Sequence, residues 1–117
     1  MAASVEVELD IFSGMPNPKW VLTNAEAESF VKQLAALPRI SDKKLSGNLG
    51  YRGFIVQVTQ GADTQLIHIQ NGTGHISEGA VTVYVHDKGR KLERWLLNTG
   101  KPHVKDDLFQ IVEREFR

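Results

Sequence analysis

The sequence predicts an α+β fold, in which a largely antiparallel sheet of four to five strands packs against three helices. Two observations lead to this prediction. Apolar and polar residues alternate in five short segments, as in strands that bury one face. Three other segments repeat apolar residues at helical spacing. The chain has 117 residues, 41% hydrophobic and 24% charged. We therefore assign residues 1–117 to a single globular domain.

The strands are predicted from their period-two alternation. The first is VEVELDI at 5–11, where apolar side chains alternate with three carboxylates. Residues 39–53 form a polar loop, and the remaining strands cover 54–59, 66–70, 73–77 and 81–85.

The turns fix the expected strand registers. A four-residue turn at 61–64 would place Val58 opposite Ile67, and the Asn-Gly turn at 71–72 would place His68 opposite His75. A bulge or a bend is expected at Glu78–Gly79, because the apolar residues change parity there.

The helices are predicted from their caps and stops. The first begins with a capping box at Thr23 and ends at Pro38. The second is expected to begin at Asp87, an N-cap, and to end at Gly100 in a left-handed cap. The third follows Pro102, and its apolar stripe consists of Leu108, Ile111, Val112 and Phe116.

The outward positions of the predicted sheet form a polar face. Its members are Glu6, Glu8, Asp10, Gln57, Thr59, His68, Gln70, Thr73, His75, Ser77, Thr82, Tyr84 and His86. Such a face is either solvated or a surface for a ligand or a second copy of the chain.

We expect this face to hold no metal and no cofactor. His68 and His75 would supply two ligands, whereas structural zinc takes four. Alternate carboxylates on the first strand lie ~7 Å apart. That spacing is compatible with glycoside hydrolysis but does not select it. We therefore expect no catalytic residue and keep a small hydrolase as the alternative.

The loop SGMPNPKW at 13–20 is the candidate binding element. Two prolines fix its shape in advance, which lowers the entropy lost on binding. Trp20 could offer a flat apolar face to a sugar, or pack in the core beneath the first helix. The candidate ligand-binding residues are Asp10, Ser13, Asn17, Trp20, Tyr51 and Arg52.

Three runs carry a resemblance to known proteins: VELDIFSGMPNPKW, LGYRGF and LERWLLNTG. They resemble a set of small fungal and bacterial proteins with an SGxPNPxW motif. Through that set the chain is similar to the small α/β/α-sandwich mushroom lectins that bind GalNAc-containing glycans. The resemblance implies helices on both sheet faces and dimers that share one continuous sheet. The alternation described above instead favours one open face.

The sequence therefore predicts a carbohydrate-binding protein without catalysis, whose partners are glycans or glycoproteins and a second copy of the chain. The alternatives are the small hydrolase and a protein-interaction domain without a small ligand. The net charge is zero, so the dominant basic field of a duplex-binding protein is missing and we expect no nucleic acid. We expect no membrane insertion, because no apolar run reaches the length of a span. No signal peptide is visible in Met1–Glu8, and the compartment stays open.

Overall fold

A computed structural model describes residues 3–12, 14–41 and 50–116. The described residues form one antiparallel sheet in the order β2-β1-β4-β5-β6-β7-β3. Its strands are β1 (Ser4–Leu9), β2 (Lys19–Val21), β3 (Arg39–Ile40), β4 (Phe54–Gln60), β5 (Asp63–Gln70), β6 (Thr73–Glu78) and β7 (Val81–His86). The helices are α1 (Asn24–Ala35), α2 (Lys91–Thr99) and α3 (Asp106–Glu113), with 3₁₀ turns at Lys88–Arg90 and Arg114–Phe116. The predicted α+β class is confirmed.

The sheet has more strands than the four to five predicted, because a short strand lies at each edge. β2 pairs with β1, and β3 pairs with β7 through two residues only. Strands this short show no alternation, so the pattern could not reveal them. Short edge strands also limit unwanted pairing with other chains.

The three helices bury most of one face of the sheet. The core joins inward residues of the strands to one face of each helix, for example Val7, Phe54, Ile69, Phe30, Leu96 and Val112. In the described part of the chain, no helix covers the opposite face. Those residues therefore show the one-sided arrangement that the alternation predicts, rather than helices on both faces. Gln70 and Thr73 are exceptions to the predicted polar face, because they are buried at 1% and 3% exposure.

The predicted register of the β4–β5 hairpin is wrong by two residues. Gln60 pairs with Asp63 across a two-residue turn, so Val56 rather than Val58 lies opposite Ile67. A shift of two residues keeps every side chain on its own face. The apolar faces of the two strands therefore still agree.

The first of the next two hairpins agrees with its prediction, and the second agrees in part. The turn at 71–72 gives the expected register, with His68 opposite His75. At Glu78–Gly79 the chain turns rather than bulges, because Glu78 pairs directly with Val81 across a two-residue turn. That turn accounts for the change of parity along the sequence.

The helix caps are partly as predicted. Thr23 and Glu26 form the capping box of α1. Asp87 caps α2 from a distance, because its carboxylate accepts from the N–H groups of Leu92 and Glu93 at 2.9 Å across the 3₁₀ turn. Gly100 has φ −85° and is not left-handed, so that prediction is wrong.

The apolar stripe of α3 also needs a correction. Phe109 and Val112 are its buried residues, whereas Ile111 is 52% exposed. The predicted stripe does not include Phe109, although this residue is buried.

Candidate functional site

The side chain of Asn17 fixes the conformation of the loop that precedes β2. Its Oδ1 accepts from the backbone N–H groups of Ile11 and Phe12 at 3.1 and 2.8 Å. Its Nδ2 donates to Glu8 at 2.8 Å and lies 3.4 Å from an oxygen of Asp10. One amide therefore closes the loop and orients two carboxylates.

Arg52 joins this loop to the segment before β4. Its guanidinium donates to Oδ1 of Asp10 at 2.9 and 3.2 Å and to the Phe12 carbonyl at 2.8 Å. The side chains of Arg52 and Asp10 are 22% and 14% exposed. Charge-assisted bonds of this kind are short and directional, so the ion pair is set in place before any ligand arrives.

We call Glu8, Asp10, Asn17 and Arg52 the loop cluster. Lys19 extends it, because its ammonium lies 3.7 Å from Glu8. Glu8 keeps 25% of its side chain exposed. The cluster therefore presents fixed acceptors and donors at the surface, and its members hold one another in place.

The predicted site residues Asp10, Asn17 and Arg52 are brought together, but the two aromatic candidates are buried. Trp20 is 4% exposed and Tyr51 is 5% exposed. Ser13 lies outside the described residues. Neither ring presents an open face on which a sugar could stack.

Trp20 packs beneath the end of α2. Its indole N–H donates to Thr99 at 3.0 Å, and its ring lies edge-on to Phe54 and parallel to His103. A Cβ on Gly100 would lie 2.5 Å from the indole. Close contact with this ring, rather than a left-handed backbone, is therefore what requires glycine at that position.

Tyr51 belongs to a second, buried polar cluster centred on Glu93. The Tyr51 hydroxyl donates to this fully buried carboxylate. The carboxylate also accepts from the Gly72 N–H at 3.0 Å and from Arg90 at 2.9 and 3.2 Å. The Arg90 guanidinium covers the Phe116 ring at 4.3 Å.

The electrostatics of this second cluster favour a neutral phenol beside an ion pair. Burial raises the pKa of Tyr51 well above its ordinary value, and the negative charge of Glu93 raises it further. Burial alone would lower the pKa of Arg90, but its bond to Glu93 and that charge give a net increase. This buried cluster is closed to ligands and holds the fold together.

The open face continues from the loop cluster as a row of half-buried side chains. The register aligns Glu8, Ile55, His68, His75 and Tyr84 on successive strands. Nε2 of His68 lies 2.9 Å from the Arg52 carbonyl oxygen, which links the row to the loop cluster. The His75 and Tyr84 rings meet at 87° with centroids 4.6 Å apart. We call His68, His75 and Tyr84 the open-face row.

Metal ligands do not converge at this surface. Among the described residues, no three histidine, aspartate, glutamate or cysteine side chains form a group that could hold an ion. His68 and His75 do lie opposite each other, as the turn at 71–72 predicted. Within the described residues, no helix is both long and apolar enough to cross a membrane.

Sequence reasoning missed two residues that matter here. It treated Glu8 only as one of three strand carboxylates, although Glu8 completes the loop cluster. It did not single out Glu93, because a lone glutamate in an amphipathic helix is usually exposed. The available signal was the run LERWLLNTG, which contains both Glu93 and Thr99, the partner of Trp20.

No protein-family model, curated protein or solved structure matches the chain.

Proposed function

We propose that this protein binds glycans without catalysis, and that the sugar lies across the open face between the loop cluster and Tyr84. The observation that carries the proposal is the rigid, partly exposed Glu8–Asp10–Arg52 arrangement beside the open-face row. It offers carboxylate acceptors and guanidinium donors at fixed positions. Sugar hydroxyls both donate and accept, so they match such a set of planar polar groups.

The open-face row supplies the less polar part of the surface. Ile55 lies between Glu8 and His68 on the register, and Tyr84 closes the row at the other end. An aromatic ring gives the C–H face of a sugar an apolar surface and keeps a polar tip in water. From Glu8 to Tyr84 the row crosses four strand spacings, roughly 19 Å. This length favours an oligosaccharide over a single sugar.

Preorganisation is the energetic argument for this surface. The loop cluster holds its side chains through hydrogen bonds that already exist in the free protein. Binding a ligand therefore does not require these side chains to become ordered, a step that otherwise costs roughly 0.5–1.5 kcal/mol per side chain. The small-hydrolase alternative would use the same carboxylates and histidines, so the experiment must also measure turnover.

A glycan array followed by calorimetric titration of the best glycan tests the proposal. Tyr84→Ala should weaken binding at least several-fold while the melting temperature stays near that of the wild type. Gln110→Ala, an exposed position on α3, serves as the matched control and should bind normally. If the protein bound no glycan on the array, the proposal would be contradicted. Release of cleaved product from the bound glycan would favour the hydrolase.

A further inference from the structure

The helices leave part of the inner face of β6 and β7 uncovered. A groove of about 780 Å³ runs between the C-terminal half of α1 and these strands. Its lining is mainly apolar and includes Val31, Leu34, Leu37, Ile76, Val81 and Val83. Val81 is 64% exposed and Val31 is 40% exposed. A contiguous apolar surface of this kind on a soluble domain usually marks an interaction site.

The two ends of the groove carry opposite charges. Arg39 lies beside Val85 on one side of β7, and Glu78 lies beside Val81 on the other side. The charges therefore sit at diagonal corners, four residues apart along β7, or roughly 13 Å in the strand direction. Gln65 donates to Glu78 at 3.1 Å, which places an uncharged partner at the acidic end.

This charge pattern is self-complementary. A two-fold axis lying in the plane of the surface, perpendicular to the line from Arg39 to Glu78, places each arginine over the other copy's glutamate. An isologous interface requires this relation, because residue i must meet residue j and residue j must meet residue i. A ligand with a single charge would match only one of the two corners.

We propose that a second copy of this chain occupies the groove, in a symmetric dimer. The shape agrees, because α1 forms one wall of the groove and exposes Val31 and Ala35. The helix of each copy would then cover β6 and β7 of the other. The open faces of both copies would point outward, so the dimer leaves the surface proposed for glycans free on each side.

Light scattering across micromolar concentrations tests the proposal on the full chain. We expect a species of twice the 13.1 kDa chain mass. Val31→Asp should shift it to the monomer, because Val31 is exposed on the α1 wall of the groove and a carboxylate there would face the apolar strands of the other copy. Leu66→Asp is the matched control: Leu66 is 50% exposed on the open face, so the dimer should persist. A wild-type monomer at every concentration, or a dimer that only Leu66→Asp dissociates, would overturn the proposal.

Charge reversal tests the two-fold pairing itself. Arg39→Glu and Glu78→Arg should each weaken dimerisation, roughly tenfold, since each change affects two symmetric ion pairs. The double variant should recover the dimer, because both pairs are restored with the signs exchanged. A double variant as weak as either single variant would overturn the pairing. Melting curves confirm that each variant is folded, since both positions are at the surface.

Discussion

The hydroxyl of Tyr51 donates a buried hydrogen bond to Glu93, a residue 42 positions further along the chain. This bond ties the segment before β4 to α2 at a point where the carboxylate also accepts from the turn at Gly72. Two of the sequence runs, LGYRGF and LERWLLNTG, therefore meet at this contact. The third run reaches α2 through Trp20 and Thr99. All three runs thus contain residues that hold the loop and the helix together.

The first prediction concerns Tyr51→Phe and alkaline pH. The folded protein raises the pKa of Tyr51 above its ordinary value of 10.0, by burial and then by the charge of Glu93. Below pH 10 the phenol is protonated in both states and its stabilisation is complete. Above pH 10 the unfolded chain loses this proton first, so stability should fall by up to about 1.4 kcal/mol per pH unit.

Urea denaturation between pH 7 and pH 11 measures that slope. Tyr51→Phe should flatten it above pH 10. At pH 7 the variant should lose about 1–3 kcal/mol, because buried Glu93 loses a donor. Tyr84→Phe, at a half-buried position on the open face, is the control and should keep the wild-type slope. Identical slopes for Tyr51→Phe and the wild type would show that Tyr51 is not the group responsible.

The second prediction is that Gly100→Ala destabilises the protein by steric conflict. The added methyl would lie 2.5 Å from the Trp20 ring, although φ at this position suits any residue. Overpacking of this kind costs about 1–3 kcal/mol. Gly50→Ala is the matched control, because no described residue lies within 4 Å of a Cβ placed there. Thermal melting of both variants decides the point. Equal midpoints would show that the indole moves aside at little cost.

Local patterns were sufficient to predict most of the fold. Alternation identified β1 and the three hairpin-linked pairs, because a half-buried strand repeats every two residues and a register error of two preserves its faces. The capping box of α1 depends on two residues three positions apart, so it too is visible in sequence. β2 and β3 exist only because β1 and β7 offer them hydrogen-bond partners.

The site was harder to predict because its contacts are long-range. Asp10, Asn17 and Arg52 were chosen for their chemistry and do meet, yet the sequence could not show that they bind one another. Trp20 could be assigned either to the core or to a ligand, and only the packing against Gly100 places it under α2. Val31 falls at helical spacing with the buried residues Ala27, Phe30 and Leu34 of α1, yet the structure leaves it 40% exposed beside the groove.

The third prediction is that Gln70→Met stabilises the protein. Gln70 is 1% exposed, and within the described parts of the chain neither its Oε1 nor its Nε2 has a hydrogen-bond partner. Replacing a buried, unpaired amide by an apolar side chain of similar size should gain about 1–3 kcal/mol. Gln57→Met, exposed on the open face, is the control and should change little. Chemical denaturation that shows a loss for Gln70→Met would mean that the amide binds a water molecule or another group.

The last prediction distinguishes a structural role from a binding role for the loop that contains Asn17. Asn17→Ala removes two acceptor contacts to backbone N–H groups and two donor contacts to carboxylates. Because the loop loses the amide that closes it, the free energy of unfolding should fall by about 1–3 kcal/mol. Glu8 and Asp10 also lose their shared partner, so glycan affinity should fall in the protein that is still folded. Asn98→Ala, exposed on α2, is the control and should alter neither quantity.

Denaturation and calorimetric titration on the same samples distinguish the outcomes. A destabilised variant with wild-type affinity would show that the loop is purely structural, and the search for the binding surface should then move to His75 and Tyr84. A stable variant with lost affinity would show instead that Asn17 contacts the sugar directly.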